Sequence, residues 1–276
     1  MSAASQQAST PAHDVAARIA AAGHDWLVPQ WPAPRGVHAF FTTRNAVGER
    51  GVRTSSFDVG GPPGALADAA PGDAIRENRR IIQALVPSSP VWLDQVHGAA
   101  VVDVDRLPRG AGDRWPRADA AVTRATDVVL AIRVADCLPA LFTAADGSVI
   151  GAAHAGWRGL AAGVLENTVA AMHCSAAGVL AWLGPCIGAA AYEVGDDVRD
   201  ALVARDGDAA SAFARGRPGK WQADLEMLAR RQLAHAGVVA VTSARMCTAS
   251  DPARFFSFRR DRATGRMAAF IWRGRC

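Results

Sequence analysis

The chain has 276 residues, half of them hydrophobic, which suffices for a substantial buried core in one large domain. Its net charge of +4 sets 30 Lys plus Arg against 26 Asp plus Glu, and the basic residues are scattered, which speaks against a nucleic-acid groove. No stretch reaches the roughly 18 uninterrupted apolar residues of a membrane span, the first residues lack a secretory pattern, and the five cysteines contain no C-x-x-C pair, so a cytoplasmic protein with reduced thiols is expected.

Residues 1–22 are rich in Ala, Ser and Gln and are expected to form a flexible tail, or a short helix, ahead of a single domain spanning 23–276. Aromatic and β-branched residues gather over 37–43, bounded by Pro32, Pro34, Gly48 and Gly51, which predicts the first strand. A surface turn follows at Gly60, Gly61, Pro62, Pro63 and Gly64. Ile75, Ile82 and Leu85 then recur at helical spacing behind Asp73, a good N-cap, so 73–86 reads as a helix. Short apolar runs at 91–104, 128–144 and 149–157 read as buried strands. A helix is expected over 159–173, a strand entering a Gly-Pro turn over 179–195, amphipathic helices at 196–206 and 223–237, and strands at 238–247 and 267–272. Without a strict β-α-β rhythm, P-loop or G-x-G-x-x-G, the pattern implies one α/β domain of mixed β-sheets layered with helices rather than a doubly wound fold.

Seven histidines are few enough to sort by position. His13, His173 and His235 lie in the tail or on helix surfaces, and backbone partners account for His24 and His38 beside the first strand. His97 in QVHG and His154 in AAHAGWRG lie where an apolar strand runs into glycine, and such ends present side chains at a sheet edge. Cys137 in ADCLP stands in the most hydrophobic stretch and, taken alone, reads as an inert core thiol. Two imidazoles and a thiolate, however, make a three-ligand set for Zn²⁺ that leaves the fourth tetrahedral position to water, as catalytic zinc sites do. Separations of 40 and 17 residues are too long for a zinc-finger clip, so the fold must assemble the set.

The segments FFTTR, QVHG, ADCLPALF, AAHAGWRGLAAGV, GPCIGAAAYEVG and FFSFRRDRATGRMA, in this order over residues 40–270, resemble the bacterial laccase-domain family, also called multicopper polyphenol oxidases or purine nucleoside phosphorylases. The resemblance implies an α/β/β/α layered domain (the laccase-domain, CNF-like fold) in a cytoplasmic enzyme. Its implied activity is phosphorolysis of adenosine, inosine and 5′-methylthioadenosine, together with adenosine deamination, and its partners a purine nucleoside and phosphate. The family's zinc ligands, in QVHG, ADC and HAGW, fall on His97, Cys137 and His154, which carry the catalytic role as well. One departure is visible: NAVGERGVRTSSFDVGG keeps Ser56 and Gly60 but replaces the middle of the family's glycine- and serine-bearing segment after the first strand.

Phosphorolysis needs cations for phosphate oxygens, best supplied by the planar fork of arginine. Arg44, Arg158 and Arg259 are the candidates for binding substrate, with Arg260 beside them; Asp94 and Asp136 could move a proton or orient a ligand imidazole. The H-x-E and P-C-x-x-C signature of zinc nucleobase deaminases is missing. Cys186 reads as packing, and Cys174, Cys247 and Cys276 carry no role. Two other functions compete. A His₂Cys set also suits Cu²⁺ and phenol oxidation, but seven histidines without an H-x-H pair cannot hold four coppers in one subunit. A hydrolase of nucleotide-linked peptidoglycan precursors would use Cys137 as nucleophile with a histidine base.

Overall fold

The computed structural model describes residues 15–48, 51, 53–62, 72–108 and 115–274. His13, Pro63, Gly64 and Cys276 lie outside the described residues. In chain order the elements are α1 (Val15–Ala21), β1 (Val37–Phe41), β2 (Ala46–Val47), β3 (Arg53–Thr54), α2 (Gly72–Gln83), β4 (Val101–Asp103), β5 (Ala120–Thr123), β6 (Val129–Val134), β7 (Leu138–Ala144), β8 (Ile150–Ala155), α3 (Trp157–Ala162), α4 (Val164–Ala171), β9 (Val179–Leu183), β10 (Glu193–Gly195), α5 (Asp196–Arg205), β11 (Phe213–Arg215), β12 (Lys220–Ala223), α6 (Leu225–His235), β13 (Ala240–Ser243), α7 (Phe258–Asp261) and β14 (Met267–Arg273).

Two sheets carry the fold: an antiparallel one of order β1-β14-β6 and a mixed one of order β13-β9-β7-β8-β5-β4, parallel only at its two outer pairs. The period-2 alternation of β14 explains the layering. Met267, Ala269 and Ile271 face a core shared with Leu141, Ile150 and Ala152 of the larger sheet. Ala268, Phe270 and Trp272 face the opposite way, onto Val15 and Ile19 of α1 and Ile82 of α2. On the far side of the larger sheet, Leu138, Ala140 and Phe142 meet Leu160, Leu165, Val198, Leu225 and Leu228 of α3 to α6. Helices, sheet, sheet and helices therefore stack around three apolar layers, in one α/β domain of mixed sheets. Small ribbons, β10-β12-β11 and β2-β3, decorate it.

Several local readings change. Helix α1 is the short helix allowed within 1–22, but burial of Val15 and Ile19, four apart on one face, ties it to the domain instead of leaving it ahead of one. The strand expected over 91–104 survives only as β4 and isolated bridges at Val91 and Asp94, because the 96–98 amides turn to a side chain instead of a strand. The helix expected over 159–173 breaks into α3 and α4 at Gly163, whose φ of 84° is left-handed; a Cβ there would strike the Arg205 guanidinium at 2.5 Å. The 128–144 run is two strands in two sheets, with Asp136 and Cys137 at the crossover between them. No helix among the described residues is long and apolar enough to cross a membrane.

Candidate metal centre

The crossover from β6 to β7 delivers Cys137 to the seam between the two main sheets. His154 is on β8, paired with Pro139 of β7 in the antiparallel register, two residues from Cys137. Its neighbours Ala153 and Ala155 face the helices, so His154 points with Ile150 and Ala152 toward the seam. His97 reaches the same point from the loop before β4. One ligand atom from each of the three residues lies within 4.8 Å of the others, and His97 Nε2 is 3.9 Å from Cys137 Sγ. The imidazole rings stand edge to face, 4.8 Å between centroids. His154 is buried, Cys137 half-buried and His97 exposed, so the set opens on one side.

These residues fit a zinc ion. Bonds of about 2.3 Å to sulfur and 2.0–2.1 Å to nitrogen put tetrahedral ligands roughly 3.3–3.6 Å apart, so closing on an ion takes movements of about 1 Å or less. A thiolate with two imidazoles is the borderline-soft donor set that zinc accepts. Backbone and side chains clear space for it: a Cβ on Gly156 would come within 2.9 Å of Cys137 Sγ and 3.3 Å of His97 Cδ2. Without an ion between them, the thiol and imidazole pair as charges. Burial opposes a Cys137 thiolate, but the His154 charge and hydrogen bonds from His154 and His97 outweigh it and bring the pKa down to about 6. Burial likewise opposes charge on His154, yet the Cys137 thiolate and the hydrogen bond to Asp119 raise it to about 9.

Two left-handed residues frame the set, His97 at φ 61° and Asp136 at φ 90°. Asp136 is buried and occupied: its Oδ1 accepts from Thr248 Oγ1 at 2.6 Å, and its Oδ2 from Ser257 Oγ at 3.0 Å and the Arg259 amide at 2.6 Å. Its carbonyl accepts from the Ile187 amide at 2.8 Å. Three donors on its two oxygens make this carboxylate the anchor of the Cys137 crossover, at the wall of the cavity above the trio. Asp119, at the start of β5, accepts at Oδ1 from the His97 amide at 2.9 Å and from His154 Nδ1 at 2.8 Å. Its Oδ2 accepts from the Val96 amide at 3.1 Å and the Gly98 amide at 2.7 Å. Burial works against its charge, but these bonds and the His154 charge hold its pKa below the usual aspartate value.

A cavity of about 430 Å³ opens over the trio, with Asp94, Trp157, Arg158, Tyr192, Phe258 and Arg259 among its walls. The Arg158 guanidinium lies 4.4 Å over the Trp157 ring; that of Arg259 lies 5.1 Å over Tyr192 and donates to the Glu193 carbonyl at 2.7 Å. Burial, with the nearby Cys137 charge, pushes the Tyr192 phenol well up, so it stays a neutral donor. Arg44 is elsewhere: it donates to the carbonyls of Ser55 at 2.9 Å and Pro252 at 3.1 Å and stacks on Phe256. It braces the loop after β1 and lines no part of this cavity. Arg260 is also consumed, by the carbonyls of Thr248, Ala249 and Phe255 and the Asp261 carboxylate. A second cavity, of about 340 Å³, holds the mutually paired Arg205 and Glu166 and Arg231 and Asp206, and lacks the trio.

Sequence reasoning missed Arg133 and Arg266 in the cavity wall, along with Tyr192, the chain's one tyrosine, and Asp119. Tyr192 could have been flagged as a unique polar aromatic. Asp119 carried a weaker signal, a carboxylate leading straight into the apolar run AAVT.

A family model described as multi-copper polyphenol oxidoreductase laccase matches residues 38–274. A Xylella fastidiosa (strain Temecula1) protein named purine nucleoside phosphorylase is 50% identical over 252 residues, covering 90% of this chain and 96% of that protein. The Escherichia coli K12 protein named purine nucleoside phosphorylase YfiH is 45% identical over 248 residues, with coverages of 89% and 98%. Among solved structures, a Neisseria meningitidis protein gives a TM-score of 0.82 at 42% identity, covering 91% of this chain and all of that one. YlmD from Geobacillus stearothermophilus gives 0.80 at 33% identity, covering 91% and 96%.

Proposed function

The chain belongs to the multi-copper polyphenol oxidoreductase laccase family, and on that premise we propose that it is a zinc-dependent purine nucleoside phosphorylase acting on adenosine, inosine and 5′-methylthioadenosine, with adenosine deaminase activity. The observation that carries the reading is the convergence of His97, Cys137 and His154 from three separate segments at the floor of a cavity walled by Arg158 and Arg259. The substrate class is supported by the names of relatives about half identical to this chain.

His97, Cys137 and His154 would hold the ion, and zinc held there supplies Lewis acidity at an open coordination position. Phosphorolysis joins a phosphate oxygen to C1′ of the ribose as the C1′–N9 bond breaks and the base leaves with a proton. Arg158 and Arg259, each with its guanidinium over an aromatic ring, offer N–H donors to the phosphate oxygens. Tyr192, kept neutral by burial, can donate a hydrogen bond to the departing base. Trp157 and Phe258 give the purine apolar surface, Phe258 being half exposed at the rim. The same donor set could take copper, and metal analysis of protein produced without added copper separates the two: one zinc per chain supports the reading, stoichiometric copper overturns the metal assignment.

The decisive assay incubates purified protein with adenosine, with and without phosphate, and separates the products. Adenine that appears only with phosphate is expected, with inosine formed by the deaminase activity in either condition. Turnover to free base and ribose without phosphate would favour a hydrolase, and no product in either condition would remove the nucleoside assignment.

A further inference from the structure

We propose that Asp119 is the positioning residue of the metal centre: one buried carboxylate seats the His97 loop and the His154 ring together, leaving both Nε2 atoms directed at the ion. The proposal rests on the metal reading above and adds to it a residue outside the ligand set.

A carboxylate has about four acceptor positions, two on each oxygen. In Asp119 all four are used, by the amides of Val96, His97 and Gly98 and by His154 Nδ1. The side chain is fully buried, so no position remains for a substrate proton, and its role is to orient rather than to react. Toward His154 it fixes the tautomer. Accepting from Nδ1 keeps the proton there and leaves Nε2 as the lone-pair donor, the arrangement in which a metal-bound histidine is ordinarily held. Toward His97 it fixes the backbone. Three consecutive amides converge on one group only if the chain curls, and the curl puts His97 in the left-handed region at φ 61°. That conformation is unfavourable for a residue with a Cβ, and the three amide hydrogen bonds to a charged acceptor outweigh it. His97 Nε2 then faces Cys137 Sγ.

The two ligands so tied are 57 residues apart, and the tie runs through the sheet itself, since the His154 amide also donates to the Asp119 carbonyl at 2.7 Å. Charge balance points the same way. A divalent ion with one thiolate carries a net positive charge in a half-buried place; Asp119 neutralises it without occupying a coordination position.

The test is zinc affinity of metal-stripped protein, measured by chelator competition, for wild type, Asp119→Asn, His154→Ala and the double variant. Asparagine keeps the size but must present an NH₂ either to His154, forcing the proton onto Nε2, or to the loop amides, where donor meets donor. We expect D119N to bind zinc about 10–100-fold more weakly. Because Asp119 acts through His154, the double variant should lose clearly less than the product of the two single losses. Cobalt-loaded D119N should retain the thiolate-to-cobalt charge-transfer band of Cys137 while its d–d bands shift, a signature that general loosening of the fold does not produce. If D119N does not fold, nitrogen NMR of zinc-loaded wild type decides: His154 must be protonated at Nδ1 and metal-bound at Nε2. Equal zinc affinity in D119N and wild type, strictly multiplicative losses, or His154 bound through Nδ1 would each overturn the proposal. A wild type that binds no zinc overturns the metal reading itself and this inference with it.

Discussion

Gly156 is the most stringent single-atom probe of the site. Its backbone, at φ −76° and ψ 166°, is open to any residue, so Gly156→Ala introduces a methyl group and no backbone strain. That methyl would sit 2.9 Å from Cys137 Sγ and 3.3 Å from His97 Cδ2. Favourable contacts between such atoms begin near 3.5 Å, so Sγ must retreat by about 0.6 Å or more. The Cys137 backbone cannot follow, because Asp136 is held by Thr248, Ser257, Arg259 and Ile187. The thiolate therefore swings about χ1, away from the imidazoles. Metal bonds tolerate about 0.2 Å, and we expect zinc affinity to fall about 10–100-fold, or roughly 1.4–2.8 kcal/mol. In the metal-free state the replacement should be nearly neutral, since alanine restricts the unfolded chain by about 0.4–1 kcal/mol and offsets part of the clash. The assay is chelator competition for zinc beside thermal unfolding of the stripped protein, with Gly178→Ala as control, because nothing lies within 4 Å of its new methyl. Zinc affinity in G156A within twofold of wild type would refute the geometry of the trio.

Cys137→Ala should abolish zinc binding and turnover while circular dichroism shows an intact fold; loss of the fold would make the ion structural. Arg158→Ala should raise KM for phosphate about 10–100-fold, the equivalent of losing charge-assisted hydrogen bonds of about 1.5–3 kcal/mol, with a smaller change in KM for the nucleoside; an unchanged phosphate KM would take Arg158 out of the phosphate site. In metal-stripped protein, alkylation of Cys137 should follow an apparent pKa of about 6 instead of the ordinary 9.0, and His154→Ala should move it upward. The linkage signs oppose each other: the lowered Cys137 pKa gains stability as pH rises from about 6 toward 9, while the raised His154 pKa loses it from 6.5 toward about 9. Unfolding midpoints of stripped wild type and of a Cys137→Ala, His154→Ala double variant should thus differ by a near-constant amount between pH 7 and 9, and a difference that slopes across that range would contradict the ion pair.

His97 and His154 were legible because their signal is local, a scarce residue type standing where an apolar run meets glycine, whereas Cys137, alone an inert core thiol, joined them through ligand chemistry and the resemblance. The layered α/β/β/α architecture was legible only through the resemblance, since strand order depends on pairings such as β14 with both β1 and β6 that no window of sequence contains. Asp119 was invisible for a related reason. Its partners are amides 21–23 residues upstream and a ring 35 residues downstream, and any aspartate before an apolar strand looks the same until those are in place. Arg44 shows the converse limit: an arginine closing an aromatic strand looks available, but its Nε and one terminal nitrogen donate to carbonyls of Ser55 and Pro252 that no local window reveals. The 91–104 segment has strand composition and still keeps only β4 in the sheet, because a single buried carboxylate takes the three successive amides of residues 96–98.

The same two carboxylates explain why the site should exist before any ion arrives. Each framing residue in the left-handed region, His97 and Asp136, is held by carboxylate hydrogen bonds to groups from distant segments, and neither network includes a ligand sulfur or Nε2. The three apolar layers that carry the fold are likewise built from residues outside the trio, with Cys137 only bordering the inter-sheet core. Zinc-finger peptides fold because the ion supplies their missing core; here the ion would enter a finished frame. Its binding energy then goes into ligand movements of about 1 Å or less rather than into folding, which is why small displacements at Gly156 or Asp119 should register in metal affinity while the stripped protein stays folded.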